Sequence, residues 1–121
     1  MTDAPHPTGL PYTPSVRAGD WVVVSGQVGL ADGALVEGIE AQTRQALANL
    51  ADQLAGHGLT MQDVVKTSCF LADLDQFAAF NAVYAEAFAE PRPDRSAFQV
   101  ARLPFDALVE VEAWAITPEA R

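Results

Sequence analysis

The sequence predicts an α/β (α+β) domain: a mixed β-sheet with two helices packed on one face. Three observations carry that expectation. Two segments of helical hydrophobic period are interleaved with strand-like runs, in the order hairpin strands, helix, strand, helix, strand, strand. At 121 residues, half of them apolar, the chain can form one core and is not disordered. Two helices cover one face of such a sheet, yet the run at Trp21 and the Trp114 end of the last run need cover on the second face. Other subunits are expected to supply it, so the chain is expected to oligomerise. A single domain is expected over 1–121, with 1–10 a loose N-terminal segment.

The elements follow in chain order. Trp21 to Val28 reads as a strand because Trp21, Val22, Val23 and Val24 form a nearly continuous apolar block, reached through the turn signal Ala18-Gly19-Asp20. Asp32-Gly33 predicts a hairpin turn leading to a short strand around Leu35-Val36. From Glu40 to Ala55, Thr43, Leu47, Leu50 and Leu54 line one stripe of a helix, with Gly56 and Gly58 as terminators. Val64 to Leu71 is a strand, with Lys66 and Ser68 interrupting one face. A second helix starts near Asp73 or Asp75, either of which can cap it. Its stripe is Phe77, Phe80, Tyr84 and Phe88, and Pro91 is its expected stop. Ser96 to Ala101, opened by Arg95, and Val109 to Ile116 are the last strands, joined by a turn at Pro104 to Asp106.

The last strand carries the chemistry. Alternation puts Val109, Val111, Ala113 and Ala115 on one face and Glu110, Glu112, Trp114 and Ile116 on the other. Two carboxylates on a face that runs into a tryptophan and an isoleucine are partly covered, and such carboxylates need donors or a task. Arg95 is the expected neighbour, since a guanidinium beside a carboxylate can bind a small acid and steer a water.

Composition excludes several classes. A net charge of −9, with seven scattered Lys and Arg residues, argues against nucleic acid. Met1 to Gly9 shows no apolar leader, and no run reaches membrane-spanning length, so a cytoplasmic protein without a membrane partner is expected. The single cysteine, Cys69, lies in an apolar run and reads as a small core residue. His6 and His57 lack ligand spacing, so no metal is assigned.

Eight segments in order then carry a resemblance: Pro11-Tyr12-Thr13-Pro14, Val24-Ser25-Gly26-Gln27, Gln42 to Leu50, Asp63 to Thr67, Phe80-Asn81-Ala82-Val83-Tyr84, Arg95-Ser96, Ala101-Arg102-Leu103-Pro104 and Val109-Glu110-Val111-Glu112-Ala113. Over about Gly9 to Ile116 the chain resembles the RidA/YjgF family of enamine/imine deaminases. The resemblance implies a chorismate-mutase-like fold of the bacillus type and a homotrimeric barrel with active sites between subunits. It implies hydrolysis of reactive 2-imino or 2-enamino acids, such as 2-iminobutanoate and 2-iminopropanoate, to 2-oxo acids and ammonia, with no cofactor. By motif, Arg95 corresponds to the arginine that binds the substrate carboxylate and Glu110 to the residue that orients the attacking water. Tyr12 matches the tyrosine that closes the pocket, Ser25 and Gly26 its wall, and Asn81 falls in a further motif of the site. Arg102 is expected to be structural, pairing across an interface or to a loop carbonyl.

Three departures bear on substrate range and rate. Ala97 stands where relatives usually carry cysteine or threonine, Gln27-Val28 lacks the proline that commonly follows the glutamine, and Asp94 places an acid beside Arg95. A competing class is a trimer of the same fold that binds small 2-oxo acids without turnover. Arg95 fits both classes, and Glu110 distinguishes them, because a pure binder needs no water-orienting acid. Chorismate mutase itself shares only the architecture, since its dianionic substrate calls for several cations.

Overall fold

The computed structural model describes residues 10–120. The expected loose segment 1–10, including Met1–Gly9 where no apolar leader is expected, therefore lies outside the described residues, apart from Leu10. The elements are β1 (Ser15–Ala18), β2 (Trp21–Val28), β3 (Leu30–Ala31), β4 (Ala34–Leu35), α1 (Ile39–Ala55), β5 (Val64–Leu71), α2 (Phe77–Ala87), β6 (Asp94–Gln99) and β7 (Val109–Ile116). Five strands form one mixed sheet in the order β1-β2-β7-β5-β6, and β3-β4 form a separate ribbon. β5 and β6 run parallel, joined by α2 as the crossover, and the other pairs are antiparallel.

α1 and α2 lie on one face. Leu47, Leu50 and Leu54 of α1 and Phe80, Tyr84 and Phe88 around α2 close over Val22, Val24, Val109 and Val111. Truncating a fully buried member such as Leu50 is expected to cost about 2–5 kcal/mol, because the cavity only partly collapses. The opposite face has no helix. There Val16, Val23 and Trp114 stand in one cross-strand row, with Trp21 opposite Ile116 in the next. Trp21 and Val23 are 40 % exposed and Trp114 51 %. The apolar face expected to need cover is thus present, at one end of the sheet. At the other end the same face carries a small cluster of Val28, Leu103 and Ala107 with Phe70, Leu30 and Leu35.

Several boundaries differ from expectation for local reasons. β1 has only one large apolar residue, Val16, and takes its strand form from pairing with β2 through the turn at Gly19 (φ 62°). Asp73 accepts from the Asp75 backbone N–H and caps a 3-10 turn, Leu74–Gln76, that runs into α2. α2 ends at Ala87, before Pro91, where Phe88 turns to extended backbone and buries its ring. β6 starts at Asp94 and stops at Gln99, so Val100 and Ala101 fall outside the strand. The Asp32-Gly33 turn has φ of 53° and 82°, the left-handed pair a two-residue hairpin requires.

Candidate active site

Arg95 lies on the outer strand, β6, and its sheet partner is Thr67. Thr67 is buried on the helix-covered face, so the arginine points to that face as well. α2 receives it with Phe77, Asn81 and Tyr84, a four- and three-residue spacing that keeps all three on one stripe. The guanidinium carbon stands 4.9 Å from the Tyr84 ring centre, 5.3 Å from Phe77 and 5.8 Å from Phe80. Its Nη1 donates to Asn81 Oδ1 at 2.7 Å. Rings on one side and an amide at one nitrogen fix the plane of the fork.

Tyr84 is itself anchored, its hydroxyl 2.7 Å from Thr67 Oγ1. Cys69 Sγ donates weakly to the same oxygen, and burial pushes its thiol up to about 11, so it stays protonated and serves as core. Burial also raises Tyr84, which remains a neutral phenol.

Glu110 lies on the helix-free face, between Val28 of β2 and Phe70 of β5. Next to it β2 carries a bulge: Val24 pairs with Ala113 but Gln27 with Val111, which leaves one extra residue at Ser25-Gly26. A Cβ on Gly26 would stand 2.6 Å from Glu110 Cδ and 2.8 Å from Cγ, so the carboxylate has room only because residue 26 is glycine. Burial first, and then the charge of Glu112, raise the Glu110 pKa above the ordinary glutamate value. The carboxyl opens onto a cavity of about 320 Å³ whose walls include Tyr12, Gly26, Asn49, Gln53, Phe105 and Glu110. Ser25 sits behind this wall. Its N–H donates to the Pro14 carbonyl at 2.8 Å and its hydroxyl to the Thr13 carbonyl at 3.1 Å, stitching the Tyr12 arm to the bulge. Ser15 continues the seam, donating to Gln53 Oε1 at 2.8 Å and lying 2.9 Å from His57 Nε2.

The structure therefore gathers the candidate residues into two groups. Arg95 and Asn81 form one; Tyr12, Gly26 and Glu110, with Ser25 in support, form the other. Within one chain they do not meet. Thr67, opposite Arg95, also pairs with Ala113 on the core face, whereas Glu110 pairs with Phe70 on the other face. This corrects the expectation that Arg95 neighbours Glu110 in the folded chain.

One further expectation is corrected. Asp94 alternates away from Arg95 and faces Lys66, whose Nζ approaches its Oδ2 at 3.4 Å, so its charge does not oppose the guanidinium. Arg102, expected to pair across an interface or to a loop carbonyl, donates from Nε to Oδ1 of Asp106, the carboxylate four residues on, at 2.7 Å. Glu112 shares the face of Glu110 but pairs with Ser68 and is not part of the cavity wall. Asn49, Gln53 and Phe105 were not singled out from the sequence. The i,i+4 pair on α1 was the available signal for the first two; nothing local marks Phe105. A larger cavity, about 740 Å³, lies under the α2–β6 connection and contains none of these residues. Among the described residues no group of three or more His, Cys, Asp or Glu side chains gathers to hold a metal ion. No helix among them is long and apolar enough to cross a membrane.

Two helices on one face of a five-stranded mixed sheet, with a braced guanidinium on that face and a partly buried carboxyl on the other, define a two-layer α+β class of chain. Comparison places it more narrowly. The family model described as Endoribonuclease L-PSP matches residues 1–117, and the chain belongs to this family, the YjgF/RidA family. It is 42% identical over 114 residues to a RutC family protein of Pyrococcus horikoshii, covering 92% of this chain and 90% of the relative. It is 41% identical to the 2-iminobutanoate/2-iminopropanoate deaminase of Salmonella typhimurium, covering 94% and 92%. Among solved structures, RidA from the Antarctic bacterium Psychrobacter superposes with a TM-score of 0.88 at 36% identity, covering 96% of each chain. E. coli TdcF with bound serine superposes at 0.86 and 36% identity, covering 96% and 94%.

Proposed function

We propose that this protein is a hydrolytic deaminase of reactive 2-imino and 2-enamino acids, working as a homotrimer with each site completed by two copies. The observation that carries the reading is the presence in one chain of a braced guanidinium and, apart from it, a carboxyl held in a glycine niche at raised pKa. Relatives named as imine deaminases, and a relative whose structure holds serine, support a small acid as the ligand. The two groups lie on opposite sheet faces, and the helix-free face is apolar and exposed, so a second copy is the physical route to uniting them.

In this reading the Arg95 fork holds the substrate carboxylate with parallel hydrogen bonds, which an ammonium cannot reproduce. Asn81 and the aromatic rings keep the fork from rotating. Glu110 of the neighbouring copy holds a water against the imine carbon, C2. As the water oxygen bonds to C2, Glu110 takes one of its protons and the electron pair of the C=N bond moves to nitrogen. Glu110 then returns the proton to that nitrogen. The C2 hydroxyl then gives its proton, through Glu110, to the amino nitrogen; the C–N bond breaks, ammonia leaves, and the C2 oxygen becomes the carbonyl of the 2-oxo acid. Burial raises the Glu110 pKa and so makes it a stronger base than an ordinary glutamate, and positioned proton transfer of this kind is worth about 10²–10⁴-fold. Tyr12 closes the cavity, and Ser25 positions the arm that carries it.

The family description names an endoribonuclease, but a chain of net charge −9 with seven basic residues lacks the cation cluster a phosphate backbone needs. The direct test generates 2-iminobutanoate in situ with an amino-acid oxidase or threonine dehydratase and traps residual imine with semicarbazide. Less trapped imine and faster 2-oxobutanoate formation in the presence of the protein are expected. No change beside measurable 2-oxobutanoate binding would indicate the binding trimer instead.

A further inference from the structure

The loop between β6 and β7 holds its least expected backbone where the Glu110 cavity opens. Phe105 has φ 62° and Asp106 φ 56°, two consecutive non-glycine residues in the left-handed region. For a bulky residue this conformation is uncommon and strained. Phe105 is also 68 % exposed, so burial of its ring in the chain does not explain the strain. The surroundings do fix the conformation. Asp106 is clamped by Arg102, its N–H donates to the Leu103 carbonyl, and Ala107 N–H donates to Pro104. Leu103 and Ala107 are pinned in the small cluster with Val28. A loop anchored at both ends thus places Phe105 in the wall of the cavity that Leu10, Tyr12, Gln53 and Glu110 also line.

Resting on the deaminase reading above, we infer that Phe105 selects the substrate side chain and that the preferred substrates are 2-imino acids with large apolar side chains, such as those derived from leucine or phenylalanine. Once the carboxylate is held by Arg95 and C2 lies beside the Glu110 water, the third substituent on C2 is the only part of the substrate free to meet another wall. Leu10, Tyr12 and Phe105 supply an apolar one. A cavity of about 320 Å³ falls at the lower end of the range for drug-sized ligands and exceeds the needs of a four-carbon acid. In this reading Phe105 meets the side chain of the substrate and not its carboxylate, which Arg95 holds.

Phe105→Gly tests this without endangering the fold, because glycine adopts φ near 60° at no steric cost. Imines are generated by an amino-acid oxidase from 2-aminobutyrate, leucine and phenylalanine, and kcat/KM is measured for each. Binding of the three corresponding 2-oxo acids is measured by calorimetry, and light scattering checks the assembly. The wild type is expected to prefer the leucine- and phenylalanine-derived imines. In Phe105→Gly that preference, read as the ratio of kcat/KM between large and four-carbon substrates, should fall about tenfold or more, the scale of losing apolar contact in a pocket. An unchanged ratio between large and small substrates, or a changed oligomeric state in Phe105→Gly, overturns the inference. If no imine is turned over but the 2-oxo acids bind with the same Phe105-dependent ratio, the selectivity stands and the deaminase reading fails. Absence of both turnover and binding defeats both.

Discussion

On the helix-covered face, Arg95 is a cation held by apolar groups: three aromatic rings and one amide surround it, and its neighbours Thr67, Tyr84 and Cys69 belong to a finished core. On the helix-free face, Glu110 is an anion held by an absence, the missing Cβ of Gly26, beside a face whose tryptophans and valines are still exposed. The first group is complete within one chain. The second borders a surface that a monomer leaves uncovered. Preorganising a cation is therefore compatible with the folding core, whereas in the proposed mechanism the carboxyl that meets water and substrate lies where assembly would finish the site.

Breaking the Arg95 side should have the largest effect. Arg95→Ala is expected to abolish deamination in the trapping assay while far-ultraviolet circular dichroism and oligomeric state are retained, because the residue lies on an edge strand. Arg95→Lys should be nearly as poor, since a point charge cannot make the parallel pair of hydrogen bonds. Wild-type activity in Arg95→Ala would remove the clamp from the account.

Glu110→Gln comes next, with a loss of roughly 10²-fold or more in rate and little change in calorimetric 2-oxobutanoate binding. Glu112→Gln should cost clearly less. Stability gives an independent check. The folded pKa of Glu110 lies above its unfolded value, so the folded state favours the protonated form and loses stability as pH rises through the unfolded and then the folded pKa. Thermal melts of Glu110→Gln should therefore match wild type below the ordinary glutamate range, about pH 4, and equal or exceed it at neutral pH. A variant less stable than wild type only at neutral pH would contradict the direction of that shift.

Gly26→Ala sharpens the same side. The added methyl collides with Cγ and Cδ of Glu110, so the side chain must turn as a whole. A loss of roughly tenfold in kcat is expected, within the about 10²-fold that an ångström of misplacement can cost. Asp94→Ala should be the smallest change, within about twofold, because its exposed carboxylate faces Lys66 at the surface and such pairs contribute little.

Much of this was legible in the sequence. The bounds of β2, β5 and β7 follow from their apolar runs, and strict alternation in β7 assigned Glu110, Glu112 and Trp114 to one face. β1 escaped notice because one valine makes no pattern, and its strand form depends on a distant partner. The relation of Arg95 to Glu110 was misjudged for a related reason. Ser96, Ala97, Phe98 and Gln99 do not alternate, so the face of Arg95 is decided by its parallel register with Thr67, which is a tertiary fact. The need for glycine at 26 and the left-handed turn at Phe105 likewise arise from contacts far along the chain.

The division of the site between copies is tested most directly by mixing two inactive variants. Arg95→Ala and Glu110→Gln are unfolded together, refolded at equal amounts, and assayed for 2-iminobutanoate deamination beside each variant refolded alone. If a site takes Arg95 from one copy and Glu110 from its neighbour in a closed ring, random assembly leaves roughly a quarter of the sites with both native residues. Recovery near that fraction of wild-type activity is the predicted result. A mixture as inactive as its two parents would contradict it, and would return both residues to a site within one chain.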